Sequence, residues 1–186
     1  MTILLIRHGL TAGNAEKRYI GKTDEPLCEN GIRQLTACRY PQCDVVISSP
    51  MRRCLETAKI LFPHQIPHIC DDFRECDFGL FEGKCYQELN GDPDYQAWID
   101  SGGTAAFPNG ENPPDFRNRC CKAFLSCVLS FPDAQSIAMI VHGGTIMSIL
   151  ERFAEPHRDY YDWMTENGHG WRCRYERNII SILEKL

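Results

Sequence analysis

The feature that most constrains this chain is an alternation: short apolar, β-branched runs are separated by segments whose apolar residues return at helical spacing. That is how a mostly parallel α/β sheet reads. Thr2–Ile6, Val45–Ile47 and Ile137–Val141 read as buried strands, and Asn178–Leu183 as the last one. Ile66–Cys70 suits an edge, because Pro67 has no N–H to give a neighbour. Between these runs, Met51, Cys54, Leu55, Ala58, Leu61 and Phe62 lie on one helical face, with Pro50 just ahead. Phe116, Cys120, Ala123, Phe124, Cys127, Val128 and Phe131 form a second stripe. Asn112 reads as its cap, with Pro113 and Pro114 in the first turn. Gly31–Arg39 and Thr145–Phe153 predict two more helices. Residues 83–110 are interrupted at Gly91-Asp92-Pro93 and Gly102-Gly103, which predicts a helical flap over one end of the sheet. The expectation is one domain over 1–186, with that flap as an insertion.

Several function classes fall away on composition. A chain of 186 residues with 43% hydrophobic and 24% charged residues has the make-up of an ordinary globular domain with one core. A net charge of −5 and the lack of Lys/Arg runs argue against a general nucleic-acid surface. No run approaches the ~20 apolar residues of a membrane span. The opening Met1–His8 is too short and lacks the flanks of a signal peptide, so the expectation is a cytoplasmic protein. Eleven cysteines, an odd number at irregular spacing, include no Cys-x-x-Cys pair, and no His-x-x-x-His accompanies them. They read as reduced thiols serving as small apolar residues, with no metal site and no cofactor.

In an open α/β sheet, ligands bind beyond the carboxyl ends of the strands. After the first strand comes Arg7-His8-Gly9, after the second Ser48-Ser49-Pro50-Met51-Arg52-Arg53, and after Ile137–Val141 comes His142-Gly143-Gly144-Thr145. Two histidines and at least one arginine thus gather at one edge. Glycines beside both histidines would let backbone amides approach a ligand, and two helix starts would add N–H groups that favour anions. Such a set is suited to holding a phosphate.

These residues also carry a resemblance. Arg7-His8-Gly9, with Thr11 and Asn14, resembles the signature of the histidine phosphatase superfamily, the phosphoglycerate mutase-like enzymes. The segment from Gly21 to Gln34, the block Ser48–Ala58, the block Arg74–Gly83 and Val141–Thr145 are similar to the family's other motifs, in the same order. The resemblance implies a three-layer α/β/α sandwich. It selects Arg53 over Arg52 as the phosphate-binding arginine and Glu75 as the acid. Cys28 departs from it where Ser or Thr often caps a helix, and Phe81 where Trp is frequent.

The implied chemistry is a metal-independent, two-step displacement. Neutral His8 attacks phosphorus, and Arg7, Arg53, His142 and nearby amides such as that of Gly143 neutralise the equatorial charge. Glu75 protonates the leaving oxygen and then activates water. Asn14 orients a phosphate oxygen or the imidazole. Asp77 and Glu82 stand near as other carboxylates, with Glu82 read as supporting the flap. His64 and His68 read as surface or edge residues, while His157 and His169 are placed to line a pocket. Tyr160, Tyr161, Trp163 and Trp171 read as packing. The reading is a phosphomonoesterase acting on a small-molecule phosphate ester, monomeric or homodimeric, with no nucleic-acid or membrane partner. It looks most like the branch that contains α-ribazole phosphatases and broad-specificity phosphatases. The alternatives are a phosphoglycerate mutase-type phosphotransferase, which would need more basic residues after the acid block than this acidic stretch offers, and a non-catalytic phospho-ligand binder.

Overall fold

The strand β1 (Thr2–Arg7) is the axis of the molecule, and Ile3, Leu4, Leu5 and Ile6 have no exposed surface. The computed structural model describes residues 1–186. After β1 come α1 (Ala12–Ala15), α2 (Glu29–Ala37), β2 (Val45–Ser48), α3 (Arg52–Leu61), β3 (His68–Ile69), α4 (Pro93–Asp100) and α5 (Pro113–Ser130). The chain closes with β4 (Ser136–Val141), α6 (Gly143–Phe153), β5 (Ala154–Glu155), β6 (Gly170–Glu176) and β7 (Ile179–Lys185). The seven strands form one sheet in the order β3-β2-β4-β1-β6-β7-β5. Only β6 opposes its neighbours, pairing antiparallel with β1 and β7, so the sheet is mostly parallel.

Because successive strand residues point to opposite faces, β1 and β4 feed two cores. Ile3, Leu5, Ile137, Met139 and Val141 pack with Phe124 of α5 and Ile146 and Leu150 of α6. Leu4, Ile6, Val46, Ala138 and Ile140 pack on the other face with Cys54, Ala58 and Phe62 of α3. The result is a three-layer α/β/α sandwich with helices on both faces, in agreement with the family resemblance. Burying one such aliphatic or aromatic side chain is worth roughly 1.5–3 kcal/mol, so the alternation of these few strands is the main determinant of the fold.

Several elements differ in detail from the sequence expectation. The edge strand predicted around Pro67 shrinks to His68–Ile69 but does lie at the edge, beside β2. The helix predicted from Thr145 starts at Gly143, with His142 at its N-cap. Asn112 occupies the N-cap of α5, yet its side chain makes no capping hydrogen bond. Cys28 does cap, its Sγ accepting from the Gly31 N–H at 3.4 Å. Strand β6 and the short α1 were not foreseen. In β6 the pattern Trp171, Cys173 inward and Arg174 outward is present but short, and arginine dilutes it. The final strand is therefore half of a hairpin. Its turn residues Arg177 and Asn178 take positive φ, so Asn178 belongs to the turn and not to the strand.

Within 83–110 only α4 is helical. Its Tyr95 and Trp98 are stacked and pack on a cluster holding Phe81, Phe107 and Phe116, which fastens the insertion to α5. No helix is long and apolar enough to cross a membrane. All eleven cysteines are unpaired, and Cys43, Cys54, Cys76, Cys120, Cys121 and Cys173 are buried. Burial pushes the thiols of Cys54 and Cys173 up to about 12, which suppresses thiolate chemistry at those positions.

Candidate active site

Strands β1 and β4 are adjacent and parallel, with Arg7 in register with Val141. The residues that follow them therefore emerge side by side. The His8 N–H donates to the Val141 carbonyl (2.9 Å), and the His8 and His142 rings meet edge to face with centroids 5.2 Å apart. From the neighbouring β2, the Ser49 N–H donates to the Ile140 carbonyl (3.0 Å), which brings the Ser49 hydroxyl 2.9 Å from His142 Nε2. Both histidines are buried.

The His8 tautomer follows from its partner. Nδ1 lies 2.8 Å from the Gly9 carbonyl oxygen. A carbonyl oxygen can only accept, so Nδ1 carries the hydrogen and Nε2 keeps a free lone pair. Burial, then Arg53 and Arg7, hold the His8 pKa well below the ordinary histidine range. His142 is lowered in the same way, by burial first and then by Arg53, His8 and Arg7. Both rings are neutral near pH 7, the form in which an imidazole is a nucleophile.

Two guanidinium groups are held by backbone carbonyls. Arg7 Nη1 donates to Thr165 O (2.8 Å). Arg53, with no exposed surface, donates from Nη1 to Thr23 O (2.8 Å) and from Nη2 to Gly21 O (2.9 Å). In both residues the Nε–H is buried without a hydrogen-bond partner. A buried donor left unpaired costs about 1–3 kcal/mol, and two of them beside two neutral histidines are suited to an anion. Arg52, by contrast, is exposed and paired with Glu56 at 2.7 Å, so the structure separates the two arginines as the resemblance does.

Glu75, in the loop after β3, lies beside the first turn of α6. Its Oε1 accepts from the Cys76 N–H (3.0 Å), and a Cβ added to Gly144 would lie 2.8 Å from the same oxygen. Burial raises the Glu75 pKa, against the opposing pull of the Cys76 N–H, Arg53 and Arg7. Arg74 pairs with Asp71 and not with Glu75. Asp77 is tied to Lys22 (3.1 Å). Glu82 does not brace the flap: its Oε1 accepts from the Gly21 and Thr23 N–H groups (both 2.9 Å), the same turn whose carbonyls grip Arg53. The flanking glycines serve different ends. A Cβ at Gly9 would strike Leu35 at 2.5 Å, whereas one at Gly143 would meet only ordinary contact with Arg7.

Sequence reasoning missed several supports. Thr57 Oγ1 accepts from the Gly9 N–H (2.9 Å) and donates to the Arg53 carbonyl (2.7 Å), joining the first strand's loop to α3. Its position four residues after Arg53 on a helix is the one available signal. Thr165 and Asn167 come from the late loop before β6, where no motif marks them.

Arg7, Glu75, Gly143 and Gly144 form the floor of a cavity of about 320 Å³. Its walls are mainly aromatic: Tyr19, Phe78, Trp98, Phe107, Phe116, Tyr160 and Tyr161. Tyr160 and Tyr161 thus line the cavity, against the expectation of pure packing, while Trp163 and Trp171 do pack in the core. His157 and His169 do not reach this cavity, and His169 Nδ1 instead lies 3.0 Å from the Leu186 carbonyl oxygen. His68 is exposed on the edge strand.

Known proteins resemble the chain in sequence and fold. An adenosylcobalamin/α-ribazole phosphatase of Salmonella typhimurium is 29% identical over 177 residues, covering 90% of this chain and 87% of its own. A Yersinia pestis protein named probable phosphoglycerate mutase GpmB is 31% identical over 163 residues, 81% of this chain and 74% of its own. The crystal structure of the α-ribazole phosphatase from Shigella flexneri superposes with a TM-score of 0.85 at 24% identity, covering 98% of this chain and 95% of that one, and so shares the fold. The pattern of the histidine phosphatase superfamily (branch 1) matches residues 3–183, and the chain belongs to that superfamily.

Proposed function

We propose that the chain is a phosphomonoesterase that works through a phosphohistidine at His8 and needs no metal. The observation that carries this is the pairing of a neutral His8, its Nε2 lone pair free, with Arg7 and the fully buried Arg53, whose buried Nε–H groups lack partners. Nε2 attacks phosphorus while the ester P–O bond breaks. Glu75, whose pKa burial raises, gives its proton to the departing alcohol oxygen. In the second half Glu75 takes a proton from water, which attacks the phosphohistidine and returns His8 and inorganic phosphate. Arg7, Arg53, His142, Asn14 and the Gly143 amide carry the equatorial charge throughout, the main requirement of phosphoryl transfer.

The aromatic cavity supports a large, flat alcohol over a small, doubly anionic one. Besides Arg7, its one cation is Arg117, already engaged by Glu151 at 3.2 Å. A phosphorylated nucleoside such as α-ribazole 5'-phosphate fits that chemistry, and the relatives' names point the same way. This favours hydrolysis over a mutase reaction. Eleven unpaired thiols support a reducing compartment, the cytoplasm. A small phosphate ester is the partner, taken up by one domain with the 83–110 insertion at its mouth.

Phosphate release from p-nitrophenyl phosphate, α-ribazole 5'-phosphate and 3-phosphoglycerate, by wild type and His8→Ala in the presence of EDTA, tests the reading. Release that disappears in His8→Ala, with α-ribazole 5'-phosphate preferred, is the expected result. No release by folded wild type would overturn it.

A further inference from the structure

The late loop between the 160–163 turn and β6 reaches back to the nucleophile through one side chain. Asn167 Nδ2 lies 3.2 Å from His8 O, 3.4 Å from Gly9 O and 3.0 Å from Asn14 Oδ1. Two of these acceptors are backbone carbonyls, which have no hydrogen to give. They fix which end of the Asn167 amide is nitrogen. With its two hydrogens spent on the carbonyls and on Asn14, Asn167 in turn fixes the Asn14 amide, whose oxygen must face it. Asn14 Nδ2 is therefore the far end, and it makes no hydrogen bond within the protein. The backbone on either side is pinned: Asn14 N–H donates to Thr11 Oγ1 (3.2 Å), and Gly168 N–H to Arg7 O and His8 O (both 3.0 Å). Gly168 needs φ +79° for this approach, and its carbonyl accepts from the Tyr40 hydroxyl.

We infer that Asn167 is a positioning residue: it sets the Asn14 amide with its NH2 directed away from the loop, as a donor for the transferring phosphoryl group. This rests on the phosphohistidine reading above. An Asn14 amide released from Asn167 is no longer held in this orientation: it can turn away from the phosphoryl group or present its oxygen, which repels phosphate.

Orthovanadate affinity, measured by calorimetry and by inhibition of p-nitrophenyl phosphate hydrolysis, separates the possibilities. Asn14→Ala and Asn167→Ala should each weaken vanadate binding and lower kcat by about tenfold, the loss of one hydrogen bond to a charged group. The double variant should lose about the same tenfold and not the product, because the two act as a unit. Asn14→Asp keeps the acceptor that Asn167 needs but replaces the donor with a negative oxygen, so it should bind vanadate more weakly than Asn14→Ala. Wild-type vanadate affinity in Asn167→Ala, or losses that multiply in the double variant, would overturn the inference. Should Asn167→Ala lack a cooperative thermal transition, Asn14→Asp decides: binding as tight as in Asn14→Ala overturns it. Hydrolysis that depends on His8 with vanadate binding unmoved by Asn167→Ala would leave the phosphatase reading intact and remove this one alone.

Discussion

At the scale of single residues, the site is governed by protons. His8 and His142 stay neutral in the fold because burial and the two guanidinium groups disfavour a third and fourth positive charge. The unfolded chain takes up protons on both rings below about pH 6.5. Stability therefore falls as pH drops through that value, by up to about 1.4 kcal/mol per pH unit for each ring. Glu75 works in the opposite sense. Its raised pKa favours the fold at low pH: the contribution is fully present below the unfolded carboxyl value, where both states are protonated, and is lost as pH rises through the folded value. Urea unfolding at pH 7.5 and 5.5 should show a clear drop in stability, and His142→Gln should remove about half of it; an unchanged drop would assign the protons elsewhere. The same carboxyl has a kinetic signature. Glu75→Gln should slow hydrolysis of an alkyl phosphate by about 10²–10³ but that of p-nitrophenyl phosphate by less than about tenfold, since a good leaving group needs no acid. Equal losses for the two esters would count against Glu75 as the acid.

At the scale of elements, the arginines show how turns and strand ends cooperate. Arg53 lies on the first turn of α3, yet its orientation comes from the 20–23 turn, which Glu82 in turn fastens through two N–H groups. Glu82→Ala should therefore lower kcat/KM by about ten- to a hundredfold for every substrate alike, as expected when a phosphate-clamping group shifts by a fraction of an ångström to 1 Å. A loss confined to bulky substrates would place Glu82 in the flap after all. The reading of Glu82 as a flap brace failed because its partners are backbone amides some 60 positions earlier, and backbone amides leave no trace in a residue pattern. Strand β6 escaped for a related reason. Its pairing with β1 gives the late loop its address beside His8, but seven residues that include Arg172 and Arg174 carry too weak an alternation to stand out.

At the scale of the whole molecule, the substrate cavity is assembled from distant pieces: Tyr19 near the start, Trp98 from the 83–110 insertion, Phe116 from α5, and Tyr160 and Tyr161 from the late turn. Tyr161 is half exposed at this wall. Tyr161→Ala should raise KM for an aromatic nucleoside phosphate by roughly three- to tenfold, the value of one aromatic contact, while leaving KM for a short alkyl phosphate within about twofold. Steady-state kinetics on the two substrates checks this, and a shift shared by both would place Tyr161 outside the subsite. The family resemblance chose Arg53, Glu75 and the reaction class, while the strand ends by themselves brought Arg7, His8, His142 and an arginine after β2 to one edge of the sheet. They did so because a parallel sheet delivers the residues after its strands to one edge, and sequence order alone tells which residues those are. The strand and helix periods likewise determined the α/β class with its mostly parallel sheet. Tertiary structure alone decided the tautomer of His8, the unpartnered Nε–H groups, the grip of Glu82 and Asn167, and the aromatic walls. Each of these depends on hydrogen bonds or contacts between segments far apart in the chain, made largely to backbone atoms that every residue shares and no sequence distinguishes.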